Sequence, residues 1–305
     1  MTLFPAPSQD ELFDPAFLSR LEAFTLRLPF AKRGRRLAEQ RTSARGQGTD
    51  FKDFKPYVPG DDLRTIDWNI YARLGKTFVR VFEEHHDLPV HILVDCSHSM
   101  FVEDPPRIAA AARAALAVAA VGLQQQDTVS LYGFADRLSV QARRLAGRHM
   151  IERAAHYLAR CEPMGGSDLV EAVGRFGAMG ERPGLLIVIS DFFADGGLEA
   201  ALDALGRMPH RMLLVQTVRD YDADPRLHPD MAEGSDLNID SGEGGDPVAV
   251  TLTPQLIERY VESYRAFSDQ LARFCMERGA GLVRIDAERP VIDQLDALFG
   301  TMVHR

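Results

Sequence analysis

The sequence predicts an α/β protein built on a doubly wound, mostly parallel sheet with an N-terminal extension. Three observations carry this. From residue 90 onward, short apolar runs alternate with helical stretches, the pattern of a sheet whose strands are joined by crossover helices. Leu185-Leu186-Ile187-Val188-Ile189 is apolar without interruption between Gly184 and Ser190-Asp191, as befits a central strand covered on both faces. Hard oxygen donors collect where such strands would end, and ligands of doubly wound sheets bind at the carboxyl ends of the strands.

The elements follow in order. Residues 1–45 form a helical and basic extension, with a helix near Glu11–Leu28 broken at Pro29. Residues 46–87 are dense in Gly, Pro, Asp and aromatics, with a turn at Pro59-Gly60-Asp61-Asp62 and an alternating strand at 77–82. Residues 88–305 carry the α/β pattern. Strands are expected at 90–94, 128–134, 185–189, 212–217 and 281–285, with a short edge strand at 138–140. Helices are expected at 105–126, 148–160, 168–179, 198–205, 254–278 and 291–299. Pro254 after Thr253 is a helix start with its cap. An acidic excursion, 219–250, interrupts the series.

Composition bounds the function classes. A chain of 305 residues, 46% hydrophobic and 26% charged, is ordinary globular material with room for a large core. Cys96, Cys161 and Cys275 are odd in number and widely spaced, which argues against a disulfide framework or a zinc cluster and for a reducing compartment. The N-terminus lacks the basic start and apolar centre of a secretory signal. Ile108–Leu123 is the most apolar helical stretch. Its 16 residues include Arg113 and fall short of the roughly 20 a membrane span needs, so no membrane span is expected and the location is cytoplasmic. The net charge of −9 is concentrated between Arg219 and Asp246, where nine acids face two arginines. The basic stretch Lys32–Arg45 opposes it and raises a nucleic-acid reading, but no nucleic-acid motif accompanies it.

Two phosphate-binding readings fail. Leu74-Gly75-Lys76-Thr77 lacks the glycine that a phosphate loop needs, since position 70 is Ile, and it precedes a strand. Gly46-x-Gly48 has no strand before it and no helix after it. No Gly-x-Ser-x-Gly elbow accompanies Ser97-His98.

The chemistry-bearing residues are Asp95, Ser97 and Ser99 after the first core strand, Ser167 before a helix, and Asp191 after the 185–189 strand. Hydroxyls and carboxylates suit Mg2+ or Mn2+, hard ions that take oxygen ligands and keep some waters. Two carboxylates neutralise one divalent ion and leave a position for an incoming carboxylate. Each residue also has a bland role as a turn or helix cap, and Asp168 could itself fill the open position.

Asp95-x-Ser97-x-Ser99 with Ser167 and Asp191 resembles the metal-ion-dependent adhesion site of von Willebrand factor A domains, with Ser in place of the usual Thr at 167. A longer pattern is similar to the signature of the bacterial domain-of-unknown-function 58 family. It runs through Gly46-x-Gly48-x-x-Phe51-x-Asp53, Tyr57-x-Pro59-Gly60-Asp61-Asp62-x-Arg64-x-Ile66-Asp67-Trp68, Ala72-Arg73 and Val79-Arg80-x-Phe82-Glu83. The resemblance spans roughly residues 30 to 300. It implies a short, soluble member: a non-enzymatic, chaperone-like binding module that works with a MoxR-type AAA+ ATPase or its client through an acidic residue at the metal. The alternatives are a metal-dependent hydrolase using Asp95 and Asp191, and a nucleic-acid binder through Lys32–Arg45. Within the signature, Asp61, Asp62, Arg64, Asp67 and Arg73 are expected to form a charge network around the Pro-Gly turn.

Overall fold

The computed structural model describes residues 8–27, 50–83, 88–193, 196–228, 231, 234–239 and 248–303. Lys32–Arg45, residues 84–87 and parts of the acidic excursion lie outside the described residues. The chain divides into two units, one comprising Met1–Pro29 with Leu88–Arg305 and the other Phe30–Asp87.

The chain begins with α1 (Gln9–Leu12) and α2 (Pro15–Arg27). Ser8 caps α1 through a reciprocal capping box with Glu11. Both helices belong to the sheet unit: Leu12, Phe13, Phe17, Leu21 and Phe24 are buried in its core.

In the smaller unit, β1 (Asp50–Pro56) pairs antiparallel with β2 (Phe78–Glu83), and α3 (Trp68–Leu74) lies between them in sequence. Composition suggested only turns and one strand here. The acids of the expected charge network act mainly as caps. Asp62 caps a 3-10 turn through Arg64 N–H, and Asp67 caps α3 through Asn69 and Ile70 N–H. Asp61 pairs with Lys55 at 2.6 Å and accepts Val58 N–H at 3.0 Å. Gly75 ends α3 in the left-handed region, φ 63°, with its N–H on the Tyr71 carbonyl. The Gly75-Lys76-Thr77 stretch therefore closes a helix and leads into a strand, the reverse of a phosphate loop.

The larger unit holds β3 (Pro89–Asp95), α4 (Arg107–Gln124), β4 (Thr128–Phe134), β5 (Leu138–Ala146), α5 (Ile151–Leu158), α6 (Leu169–Ala178) and β6 (Leu185–Ser190). It continues through α7 (Leu198–Gly206), β7 (Arg211–Val218), α8 (Asp220–Ala223), the hairpin β8 (Asp236–Ile239) and β9 (Val248–Thr251), α9 (Pro254–Arg278), β10 (Gly281–Asp286) and α10 (Val291–Val303). Six strands form one sheet in the order β10-β7-β6-β3-β4-β5. All pairings are parallel except β4 with β5. The expected edge strand at 138–140 runs on to Ala146, and β8–β9 is a hairpin that the acidic composition concealed.

Side chains alternate between two cores, as period-2 strands demand. Val90, Ile92 and Val94 of β3 and Ile187 and Ile189 of β6 join the core beneath α1, α2, α4, α5 and α10. Leu93, Leu186 and Val188 join the core beneath α6, α7 and α9. Helix α4 is the one described helix long and apolar enough to cross a membrane, and 72% of it is buried inside the protein. Its alanines allow close approach to the sheet, and Arg113 bonds the carbonyls of Leu12 and Glu11.

Gly184, just before β6, marks a close approach of two chains: a Cβ there would lie 2.0 Å from the Pro89 carbonyl oxygen. That oxygen is backbone at the base of β3 and cannot swing away. Gly184→Ala is therefore expected to cost about 2 kcal/mol or more by prising β3 from β6, measured by urea denaturation. A cost within 0.5 kcal/mol, the range of ordinary surface changes, would contradict this account.

Candidate functional site

The sheet order places the site. β4 follows β3 on one side while β6 flanks it on the other, so the topology reverses between β3 and β6. The crevice at the carboxyl ends of these strands is the ligand position of a doubly wound sheet. Asp95 ends β3, and Asp191 follows the last residue of β6.

Each donor is held by its own local structure. Asp95 is fully buried, and its Oδ1 accepts the Ser97 N–H at 2.9 Å. Ser97, also fully buried, starts the 3-10 turn His98–Phe101, which brings Ser99 alongside; the two hydroxyl oxygens are 3.0 Å apart. Ser167 is buried with its hydroxyl 3.5 Å from Asp95 Oδ2, at the limit of a hydrogen bond. It is not the helix cap: Asp168 is exposed and caps α6 through Glu171 N–H at 2.8 Å. Asp191 is buried, and its Oδ1 accepts Phe193 N–H at 3.0 Å.

Backbone bonds stitch the first two loops together. His98 N–H donates to the Gly165 carbonyl, Met164 N–H to Cys96, and Asp168 N–H to Ala135. Thus Asp95, Ser97, Ser99 and Ser167 share one knitted cluster. Asp191 comes to it through β6, in register with β3 up to the pair Val94–Ile189.

The electrostatics are those of two acids forced together. Burial holds the Asp95 carboxyl above its usual range, opposed by hydrogen bonds from Ser190 and Ser97. Burial, then the charge of Asp95, pushes Asp191 up to about 7, while Arg107 pulls it the other way. Among the described residues no three His, Cys, Asp or Glu converge as metal ligands, so any ion here depends on the hydroxyls. The donor set nonetheless fits a small hard cation. Adjacent ligands of an octahedral ion at 2.0–2.1 Å lie about 3.0 Å apart, which is the Ser97–Ser99 spacing. Two crowded carboxylates also supply the negative charge that a divalent ion would neutralise.

Three features escaped the sequence. Ser190 donates its hydroxyl to Asp95 Oδ2 at 2.6 Å, and the Ser190-Asp191 pair at a strand end was the available signal. Phe192 is buried with φ 64°, a costly conformation for an aromatic residue. A buried ion network flanks the site: Arg107 forms paired bonds to Asp222 at 2.6 and 2.7 Å and reaches Glu103 at 2.7 Å. Arg219 reaches Glu288 at 2.9 Å, donates to the Pro105 carbonyl, and lies 2.8 Å from Glu103 without hydrogen-bond alignment. Asp222 and Glu103 hold Arg107 firmly charged against the opposing effect of burial. In the smaller unit, Leu63, Trp68, Tyr71 and Leu74 are exposed, Trp68 by 63%.

Fold and site together define a mixed α/β domain of doubly wound type with an oxygen-donor cluster at its switch point. Residues 53–241, more than half of the chain, match the model described as "Protein of unknown function DUF58". The chain belongs to that family, as its motifs implied. It is similar to the "Uncharacterized protein Rv1480" of Mycobacterium tuberculosis, 24% identical over 251 residues that cover 80% of this chain and 76% of that protein. Among solved structures, it is similar to the conserved hypothetical protein BatB from Bacteroides thetaiotaomicron, 18% identical with a TM-score of 0.40. It is likewise similar to an aerotolerance-related membrane protein from Bacteroides fragilis, 18% identical with a TM-score of 0.43. Each match covers 72% of this chain and all of the other.

Proposed function

We propose that this protein is a non-enzymatic, divalent-metal-dependent binding module of the bacterial cytoplasm. It binds Mg2+ or Mn2+ through Asp95, Ser97, Ser99, Ser167 and Asp191, and takes a carboxylate from a MoxR-type AAA+ ATPase or that ATPase's client. The observation that carries the reading is that buried Asp95 lies among the hydroxyls of Ser97, Ser99 and Ser167 at the end of β3, with buried Asp191 just past the end of the adjacent β6. Two carboxylates and a divalent cation are neutral together, so a further carboxylate gains a bond to the cation in a partly desolvated site, where Coulomb terms exceed those in water. Asp168, occupied as the α6 cap, leaves that position to the partner. The ATPase assignment comes from the family resemblance.

The test is recovery of a MoxR-type ATPase from the same genome on immobilised protein. Recovery is expected in magnesium, with at least tenfold loss in EDTA or with Asp191→Ala, and retention with Asp168→Ala. Equal recovery in magnesium, in EDTA and with Asp191→Ala would rule out the metal bridge.

A further inference from the structure

We propose that Ser190 is a positioning residue of the metal site: its hydroxyl clamps Asp95 and helps hold the Asp191 loop in ligating register with the rest of the cluster. This rests on the metal-binding reading above.

The sheet brings the two residues together. One step beyond the Val94–Ile189 pairing come Asp95 and Ser190, side by side at the ends of adjacent parallel strands. The Ser190 hydroxyl is buried, 1% exposed, and has two partners. It accepts Phe192 N–H at 2.8 Å and donates to Asp95 Oδ2 at 2.6 Å. A hydroxyl has one proton to give. With Phe192 N–H on its lone pair, that proton goes to the carboxylate as a short, charge-assisted bond. Ser97 N–H holds the other Asp95 oxygen at 2.9 Å. The carboxylate is thereby gripped at both ends and cannot rotate.

The same hydroxyl shapes the Asp191 loop. Phe192 adopts φ 64°, a conformation that persists only where its surroundings over-determine it. Its N–H bond to Ser190 and its buried ring supply that constraint, and Phe193 N–H then fixes Asp191 Oδ1. The Ser167 loop is tied to the Asp95 loop by backbone bonds. Beyond the β3–β6 ladder, the Ser190–Asp95 side-chain bond joins the Asp191 loop to the cluster. Partners that orient metal ligands in this way are worth 10–100-fold in affinity.

The test is calorimetric titration with MgCl2 and with MnCl2 of the wild type, Ser190→Ala, Ser190→Thr and Ser190→Val, each also melted in EDTA. Thr keeps the hydroxyl, and Val has the shape of Thr without it. Ala and Val are expected to lose roughly 10–100-fold in affinity, Thr to stay within about threefold, and the EDTA melting points of Thr and Val to agree within a few degrees. If Ala does not fold, the Thr–Val pair decides alone. Equal affinity of Thr and Val would overturn the role of Ser190 while leaving the metal site intact. A wild type that binds neither ion at millimolar concentration would overturn the metal reading itself.

Discussion

Asp191→Asn is expected to make the protein more stable than the wild type in EDTA at pH 8, by about 4 kcal/mol. The sign follows from the raised carboxyl. In the unfolded chain Asp titrates near pH 4, whereas burial and the charge of Asp95 push folded Asp191 up to about 7. Between those values the folded protein holds a proton that the unfolded chain has released. Stability therefore falls as pH rises through this window, by about 1.4 kcal/mol per unit, and levels off above 7. Asparagine has no such charge to desolvate and keeps an acceptor for Phe193 N–H. The wild-type-minus-Asn difference should thus be small near pH 4 and grow to its full size by pH 7 to 8. Saturating magnesium should raise the wild type at pH 8 by about 2.7 kcal/mol at one hundred times its dissociation constant, and the Asn variant by much less. Urea denaturation at pH 4.5, 6 and 8, with EDTA or magnesium, reads all of this. An Asn variant less stable than wild type in EDTA at pH 8 would refute the account of two uncompensated buried carboxylates.

The second large effect lies beside the site. Arg107→Met is expected to cost about 3–5 kcal/mol, because it strips Asp222 of a paired partner inside the protein. Arg107 and Asp222 are only 5% and 6% exposed, so water cannot replace the lost bonds. Arg219 N–H, which also donates to Asp222, remains. Adding Asp222→Leu should recover a substantial part of the loss, since a buried pair replaced by apolar groups can be nearly neutral whereas half a pair is not. A double-mutant cycle by urea denaturation measures this directly. A single-variant cost below about 1 kcal/mol, or no recovery in the double variant, would show the network to be better hydrated than its burial implies. Arg107 also lowers Asp191 electrostatically. Its loss should therefore widen the pH window over which the metal-free protein weakens.

The fold class was legible because it rests on local periodicity. Buried parallel strands need both faces apolar, and Leu185–Ile189 states that directly. Thr253 and Pro254 announce the start of α9, and the structure has the Thr253 hydroxyl on Leu256 N–H. The placing of Asp95 and Asp191 at strand ends was equally local. The smaller unit was harder, because the charge-rich Asp50–Pro56 does not alternate in hydrophobicity and Gly, Pro and Asp mask the short helix between its strands.

What the sequence determined by itself was therefore the alternation of strands and helices, the family, and the oxygen donors at the ends of two strands. Tertiary structure alone decided how those donors meet. Strand order is set by which faces bury best against which helices, and no window of sequence reports that β3 lies between β4 and β6. The Ser190–Asp95 clamp joins residues 95 positions apart, and the Arg107–Asp222 pair spans 115. Packing of α1 and α2 on α4 is likewise a long-range choice. The left-handed Phe192 is a strain that its own residue type disfavours, so its sequence argues against it. Periodicity is written along the chain, whereas hydrogen bonds and ion pairs between distant segments are settled only when the sheet closes and water leaves the crevice.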